Sequence, residues 1–135
     1  MLRLRRQAYL QMVGHCYDGL PLEACGLLGG QLAMGKAERC YPMRNEAQSS
    51  RIYRLDSREY LHVDRDAEDH GLEIIGVFHS HTHTDAYPSP TDVGQAPDPD
   101  WHYVLVSLRD IAPVVRSYHI VDGNIAEEQV VVENR

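Results

Sequence analysis

Residues 79–92, HSHTHTDAYPSPTD, place histidines at 79, 81 and 83 and follow them with Asp85, Ser89 and Asp92. On a β-strand His79 and His81 project from one face, because side chains alternate with period two. A loop that brings the chain back would let Asp92 face the same point. Two neutral imidazoles and one carboxylate are a donor set suited to hydrolytic zinc, with three protein ligands and a fourth position left for water. Each piece also has a plainer explanation. A His-x-His pair alone is a weak metal signal, and Ser89-Pro90-Thr91-Asp92 reads as a helix start. There Ser89 is the cap, Pro90 takes the first helical position, and Asp92 suits the positive end of the helix.

The elements that must position these residues are readable from the pattern. Ala8/Tyr9, Met12/Val13 and Cys16/Tyr17 recur every four residues, which predicts an amphipathic helix from about Arg5 to just before Asp18-Gly19. "ACGLLGG" is a short apolar run closed by glycine and reads as a buried strand, and "QLAMGKAERCYPM" turns through Gly35-Lys36 into a second. "RIYRLD" suggests another strand. Asp56 and Glu59 have capping-box spacing for a second helix running to about His70, before Gly71. "EIIGVFHSH" reads as a central strand, "HYVLVSL" as a buried one, and "VVRSYHIVDGNIAEEQVVV" as a hairpin turning at Asp122-Gly123. Strands interleaved with three helices give an α/β or α+β domain.

Totals narrow the function classes. The 135 residues, 43% of them hydrophobic, suit one domain spanning 1–135 with its own core. Against 13 basic residues stand 20 acidic ones, a net charge of −7, which is the wrong sign for tracking a phosphate backbone. Cys16, Cys25 and Cys40 form no CxxC pair and are odd in number, so neither a disulfide framework nor a thiolate zinc site is indicated. With no apolar run long enough for a span and no leader-like start, the expectation is a cytoplasmic protein that binds neither membrane nor nucleic acid.

Taken together, His79-Ser80-His81, seven residues, Ser89, two residues and Asp92 reproduce the JAMM motif, and the chain resembles the MPN metalloprotease family. "YRLDS", "AYPSPTDV", "HYVLVS" and "RSYHIVDG" extend the likeness over nearly the whole chain, toward a small bacterial branch acting on ubiquitin-fold sulfur-carrier proteins. The resemblance implies a single MPN domain with a central mixed, largely antiparallel sheet flanked by about three helices. It implies Zn2+ held by His79, His81 and Asp92. It assigns Glu23, in "LEACGLLGG", as the general base and acid, and Ser89 as donor to the oxyanion. Nothing in the spacing itself ties Glu23 to the histidines, and the capping role of Ser89 competes for the same hydroxyl. The expected reaction is hydrolysis after the C-terminal diglycine of a carrier, with release of cysteine.

Alternatives within the resemblance are a general processing or deconjugating peptidase for a ubiquitin-like protein and a catalytically silent MPN scaffold. A homodimer fits either. Scaffolds of this kind typically lack the ligands, which are all present here. A zinc deaminase would need H-x-E followed by P-C-x-x-C, and neither occurs. By period two His83 would share the ligand face, but "TDAYPSP" is turn-like, so the strand stops first and His83 falls on the rim with Asp85 in the loop. Ser80 should face the other side of its strand. His15, His62, His70, His102 and His119 carry no chemical reading. Cys25 reads as a small buried hydrophobe that a nearby metal site could make redox-sensitive.

Overall fold

A computed structural model describes all residues from Met1 to Arg135. The strands are β1 (Leu2–Leu4), β2 (Cys25–Gln31), β3 (Lys36–Met43), β4 (Glu73–His81), β5 (His102–Ser107), β6 (Val114–Val121), β7 (Asn124–Glu128) and β8 (Val130–Val132). The helices are α1 (Arg6–Asp18), α2 (Ser57–Asp69) and α3 (Pro90–Gly94). One mixed sheet runs β7-β6-β5-β4-β2-β3-β1-β8. Antiparallel pairing joins β3 to β2, β2 to β4, β5 to β6 and β6 to β7. The β4–β5, β1–β3 and β1–β8 pairs are parallel. This is the expected α+β architecture.

A core lies on each face of the sheet. On one, α1 buries Ala8, Met12 and Cys16, spaced by four, against Leu2, Leu4, Phe78, Val104 and Val106. On the other, α2 presents Val63 and Ala67 to Leu27, Val77, Tyr103 and Leu105. Each large side chain taken fully out of water contributes about 1.5–3 kcal/mol. Strand β4 is the axis of both cores, buried from Ile74 to His81. Gly76 lets β5 approach it, since a Cβ there would collide with the His102 carbonyl.

Three departures from the sequence reading have physical causes. Residues 51–56, "RIYRLD", form no strand. The side chain of Asn45 takes their backbone groups instead: its Nδ2 donates to the Ile52 carbonyl at 2.9 Å and its Oδ1 accepts from Arg54 N at 3.1 Å. Leu2–Leu4 is a strand too short for a period to show, although Leu2 and Leu4 are fully buried on either side of an exposed Arg3. Finally, Val130–Val132 leaves the hairpin and pairs with β1 at the far edge of the sheet. Only Gln129 separates β7 from β8, so the sheet curls until its two edges meet. No helix is long and apolar enough to cross a membrane.

Candidate metal centre

His79 and His81 are on the last turn of the pleat of β4, facing the α2/α3 side of the sheet. Their Nε2 atoms stand 3.3 Å apart, and Asp92 Oδ2 lies 3.2 Å from the first and 3.0 Å from the second. A tetrahedral zinc with bonds of about 2.0–2.1 Å has donor–donor edges of about 3.3 Å, so the three atoms outline one face of such a polyhedron. All three residues are buried. Buried donors this close fit a divalent cation.

Neighbouring groups fix each donor. His81 Nδ1 lies 2.8 Å from the Asp85 carbonyl, which can only accept; that bond assigns the hydrogen to Nδ1 and leaves the Nε2 lone pair free. Tyr53 stacks on the His79 ring at 4.4 Å and 24°. Burial holds the His79 imidazole toward its neutral form, against the pull of Asp92. Burial would raise the Asp92 carboxyl, but the facing imidazoles of His79 and His81 and the hydrogen bond from Ser89 N outweigh it and keep it well below the usual carboxylate range. Asp92 owes its position to the helix start: Ser89 Oγ accepts from Asp92 N at 3.1 Å while Asp92 Oδ2 accepts from Ser89 N at 2.9 Å.

The cap expected at Ser89 is formed. Capping uses an oxygen lone pair, and the hydroxyl hydrogen remains available to donate. The loop before Ser89 is fastened at several points. Ser107 Oγ donates to the Thr84 carbonyl at 2.6 Å, Arg109 pairs with Asp85 at 2.6 Å, and Tyr118 Oη donates to the Ala86 carbonyl.

Glu23 joins the site across the sheet. Its backbone N donates to the Ser49 carbonyl at 2.8 Å and its carbonyl accepts from Asn45 Nδ2 at 3.0 Å. Ser80 does face the other way from the two histidines. Its Oγ accepts from Ala24 N at 2.8 Å and its own N donates to the Ala24 carbonyl at 2.9 Å, pinning the Glu23 segment to β4. The Glu23 side chain is buried, and Oε1 has no hydrogen-bond partner. Burial raises its carboxyl to about 7, with His81 opposing and Asp92 adding to the rise.

Glu23, His81 and Ser89 line a polar pocket of about 580 Å³ whose rim carries Arg51 and His83. His83 lies beyond the end of β4 and is exposed, as expected for a rim residue. Arg109 is neutralised by Asp85, whereas Arg51 has no carboxylate partner. A separate apolar cavity of about 320 Å³, lined by Tyr53, Leu55, Tyr60 and Trp101, shares the 50–55 segment as a wall. Cys25 is fully buried and its thiol is pushed up to about 12 by burial, so it is inert and not a redox-sensitive group. The reading of single residues missed Asn45, Tyr53 and Arg51, which act only through the folded path of residues 45–55. It also missed His102 and His119, which meet Glu128 elsewhere.

The family model describing prokaryotic homologs of the JAB domain matches residues 5–121. The chain belongs to the JAB/MPN family. This JAB/MPN chain is 47% identical over 131 residues to the CysO-cysteine peptidase of Mycobacterium tuberculosis, covering 96% of this chain and 90% of the relative. It is 31% identical over 111 residues to the desampylase of Haloferax volcanii, covering 78% and 80%. A protein of Desulfitobacterium hafniense with a solution structure superposes at a TM-score of 0.92 with 36% identity, covering 100% of this chain and 94% of that one. A JAB1/MPN domain protein from Archaeoglobus fulgidus shares the fold at a TM-score of 0.63 and 18% identity, covering 96% and 99%. The JAB/MPN chain is a hydrolase of the peptidase type.

Proposed function

We propose that this chain is a zinc-dependent peptidase that cuts after the C-terminal diglycine of a ubiquitin-like sulfur-carrier protein and releases cysteine. The observation that carries the reading is the pocket in which a buried, unpartnered Glu23 carboxylate shares walls with His81 and Ser89, beside the convergent donors of His79, His81 and Asp92. Those three residues would hold the ion. Zinc bound there would supply Lewis acidity and bring a water near pKa 7, instead of about 15.7 in bulk.

The remaining work falls to the chain. Glu23 takes the proton from the attacking water, whose oxygen joins the carbonyl carbon, and returns it to the amine nitrogen as the C–N bond breaks. A carboxyl that burial holds above its ordinary range is suited to taking the proton as well as to giving it up. Ser89 directs its O–H at the carbonyl oxygen as negative charge builds there. Seated in its cap, the hydroxyl needs little reorganisation.

Likeness to the CysO-cysteine peptidase supports a carrier substrate. The positive charge of Arg51 on the rim supports a leaving residue that bears a free α-carboxylate, as a single C-terminal cysteine does. The apolar cavity beyond Tyr53 offers the carrier a docking surface, which the net negative charge of the chain would not supply by steering. A second reading, removal of a ubiquitin-like protein from its conjugates, rests on the likeness to the desampylase.

Mass spectrometry of the purified protein with carriers ending Gly-Gly-Cys, Gly-Gly-Cys-amide and Ala-Val-Cys, with and without chelator, tests this. The first should be cut and the last spared. The amide should be cut about tenfold more slowly, the worth of one charge-assisted contact. In Arg51→Ala the acid and amide should converge. Equal rates on all three carriers, or cleavage indifferent to chelator, would sink the proposal.

A further inference from the structure

We propose that His102, His119 and Glu128 form a second site for a zinc-class divalent ion, on the opposite face of the sheet from the first. The register of three adjacent strands assembles it. In the β5–β6 pair Tyr103 lies opposite Tyr118, so His102 lies opposite His119 one step along, on the α1 side. In the β6–β7 hairpin Ser117 lies opposite Glu128. Ser117 and His119 share a face by period two, and all of these side chains therefore converge. One ligand atom from each of His102, His119 and Glu128 lies within 4.8 Å of the others, and the imidazole centroids are 5.0 Å apart.

Hydrogen bonding accounts for only half of the Glu128 carboxylate. Its side chain is 6% exposed. Oε2 accepts from His102 Nδ1 at 2.6 Å and from Ser117 Oγ at 2.7 Å. Oε1 is buried without a hydrogen bond, although the Met1 amino group and His119 Nε2 stand 3.1 and 3.2 Å away. Its charge is therefore met by the Met1 ammonium at the edge of the site and by no hydrogen bond from within it. A cation placed among Oε1, His119 Nε2 and His102 Nδ1 would take the place of that ammonium as its counter-charge.

The dimensions suit zinc. The distance from Oε1 to His119 Nε2, 3.2 Å, is already that of a tetrahedral edge of about 3.3 Å, and His102 would give up its hydrogen bond to Oε2 to turn Nδ1 toward the ion. Its hydrogen would move from Nδ1 to Nε2, so binding needs no net proton release from an imidazole. His119, 36% exposed at its side chain, provides the way in. Imidazole with carboxylate selects zinc, cobalt, nickel or copper over magnesium and calcium. The three ligands come from adjacent strands, so the bound ion would brace β5, β6 and β7.

Metal-free protein titrated with Co2+ alone, and separately with Zn2+, provides the test by stoichiometry after gel filtration. The wild type should retain two equivalents and His119→Ala one. The double variant His79→Ala/His81→Ala should also retain one, and should lose it when His119→Ala is added. Because the His119 ring is partly in solvent, its removal spares the fold, which circular dichroism checks; should the double variant fail to fold, the drop from two to one in His119→Ala decides alone. His62→Ala, at an exposed histidine, is the control for adventitious surface binding. One equivalent in the wild type, no change in His119→Ala, or an equal loss in His62→Ala would overturn the proposal.

Discussion

The chain assembles two histidines and a carboxylate twice, at opposite ends and on opposite faces of the parallel β4–β5 pair. His79 and His81 end β4, whereas His102 begins β5 opposite Gly76. What differs is the surroundings. Around Asp92 a helix cap, a stacked tyrosine and a fastened loop leave the donors facing a polar pocket that also holds Glu23. Around Glu128 a serine and an imidazole bond the carboxylate directly, and the donor group contains no second carboxylate. Donor identity thus allows metal binding, but reactivity depends on an unpartnered base beside the donors and on space for the scissile bond.

The sharpest way to break this contrast is to remove the base alone. Glu23→Gln keeps the shape of the side chain and cannot take a proton. We expect it to fold, to hold zinc at the first site, and to lose about 10²–10⁴-fold in turnover of a Gly-Gly-Cys carrier. Turnover within about tenfold of wild type, with zinc content unchanged by elemental analysis, would remove Glu23 from the chemistry and with it the distinction between the clusters.

A smaller effect is expected at Ser89, where one hydroxyl has two duties. Ser89→Ala should lower kcat by about 10²–10³ through the missing O–H donor, and should cost about 1 kcal/mol of stability through the missing cap. Ser89→Asp keeps a cap acceptor without a hydroxyl to donate. If it restored both stability and kcat, Ser89 would be a cap only; if it restored stability alone, the two duties would be separate as proposed. Kinetics and chemical denaturation on the same preparations read the two apart.

How far each cluster could be read from the sequence follows from how local its assembly is. His79 and His81 lie on one face of a strand that the composition of "EIIGVFHSH" already marks, and Asp92 follows within one loop and one capped turn. Period two and a cap rule were enough. Glu23 was reachable only through the family resemblance. The contacts that seat it, from Asn45, Ser49 and Ser80, join residues 22 to 56 positions apart and leave no periodic trace. The same long path explains the misread strand at 51–56, where one asparagine side chain replaces a strand partner. The second cluster was half visible. A two-residue Asp122-Gly123 turn fixes Ser117 opposite Glu128 by counting, but His102 enters only once β5 is known to lie beside β6.

The last difference between the clusters is one of pH, and it is the smallest effect expected. Burial alone would raise the Glu128 carboxyl; the hydrogen bonds from His102 and Ser117, with the charges of His102 and the amino terminus, outweigh it and hold the group at about 2, below its ordinary 4.5. A folded-state pKa lowered in this way means that the unfolded chain binds the proton more tightly. The stabilisation is therefore fully present above about pH 4.5, and is lost as the pH falls toward 2. Full linkage would amount to about 3 kcal/mol, reduced to the extent that solvent and counter-ions reach the rim of the site. Comparing denaturation of the wild type and Glu128→Gln in chelator isolates this group from the other carboxylates. The stability gap should be constant near neutrality and should narrow between pH 4.5 and 2. A gap that stayed constant throughout that acid range would mean that Glu128 titrates alike in the folded and unfolded chains, and that its buried bonds contribute nothing to holding the curled edges of the sheet together.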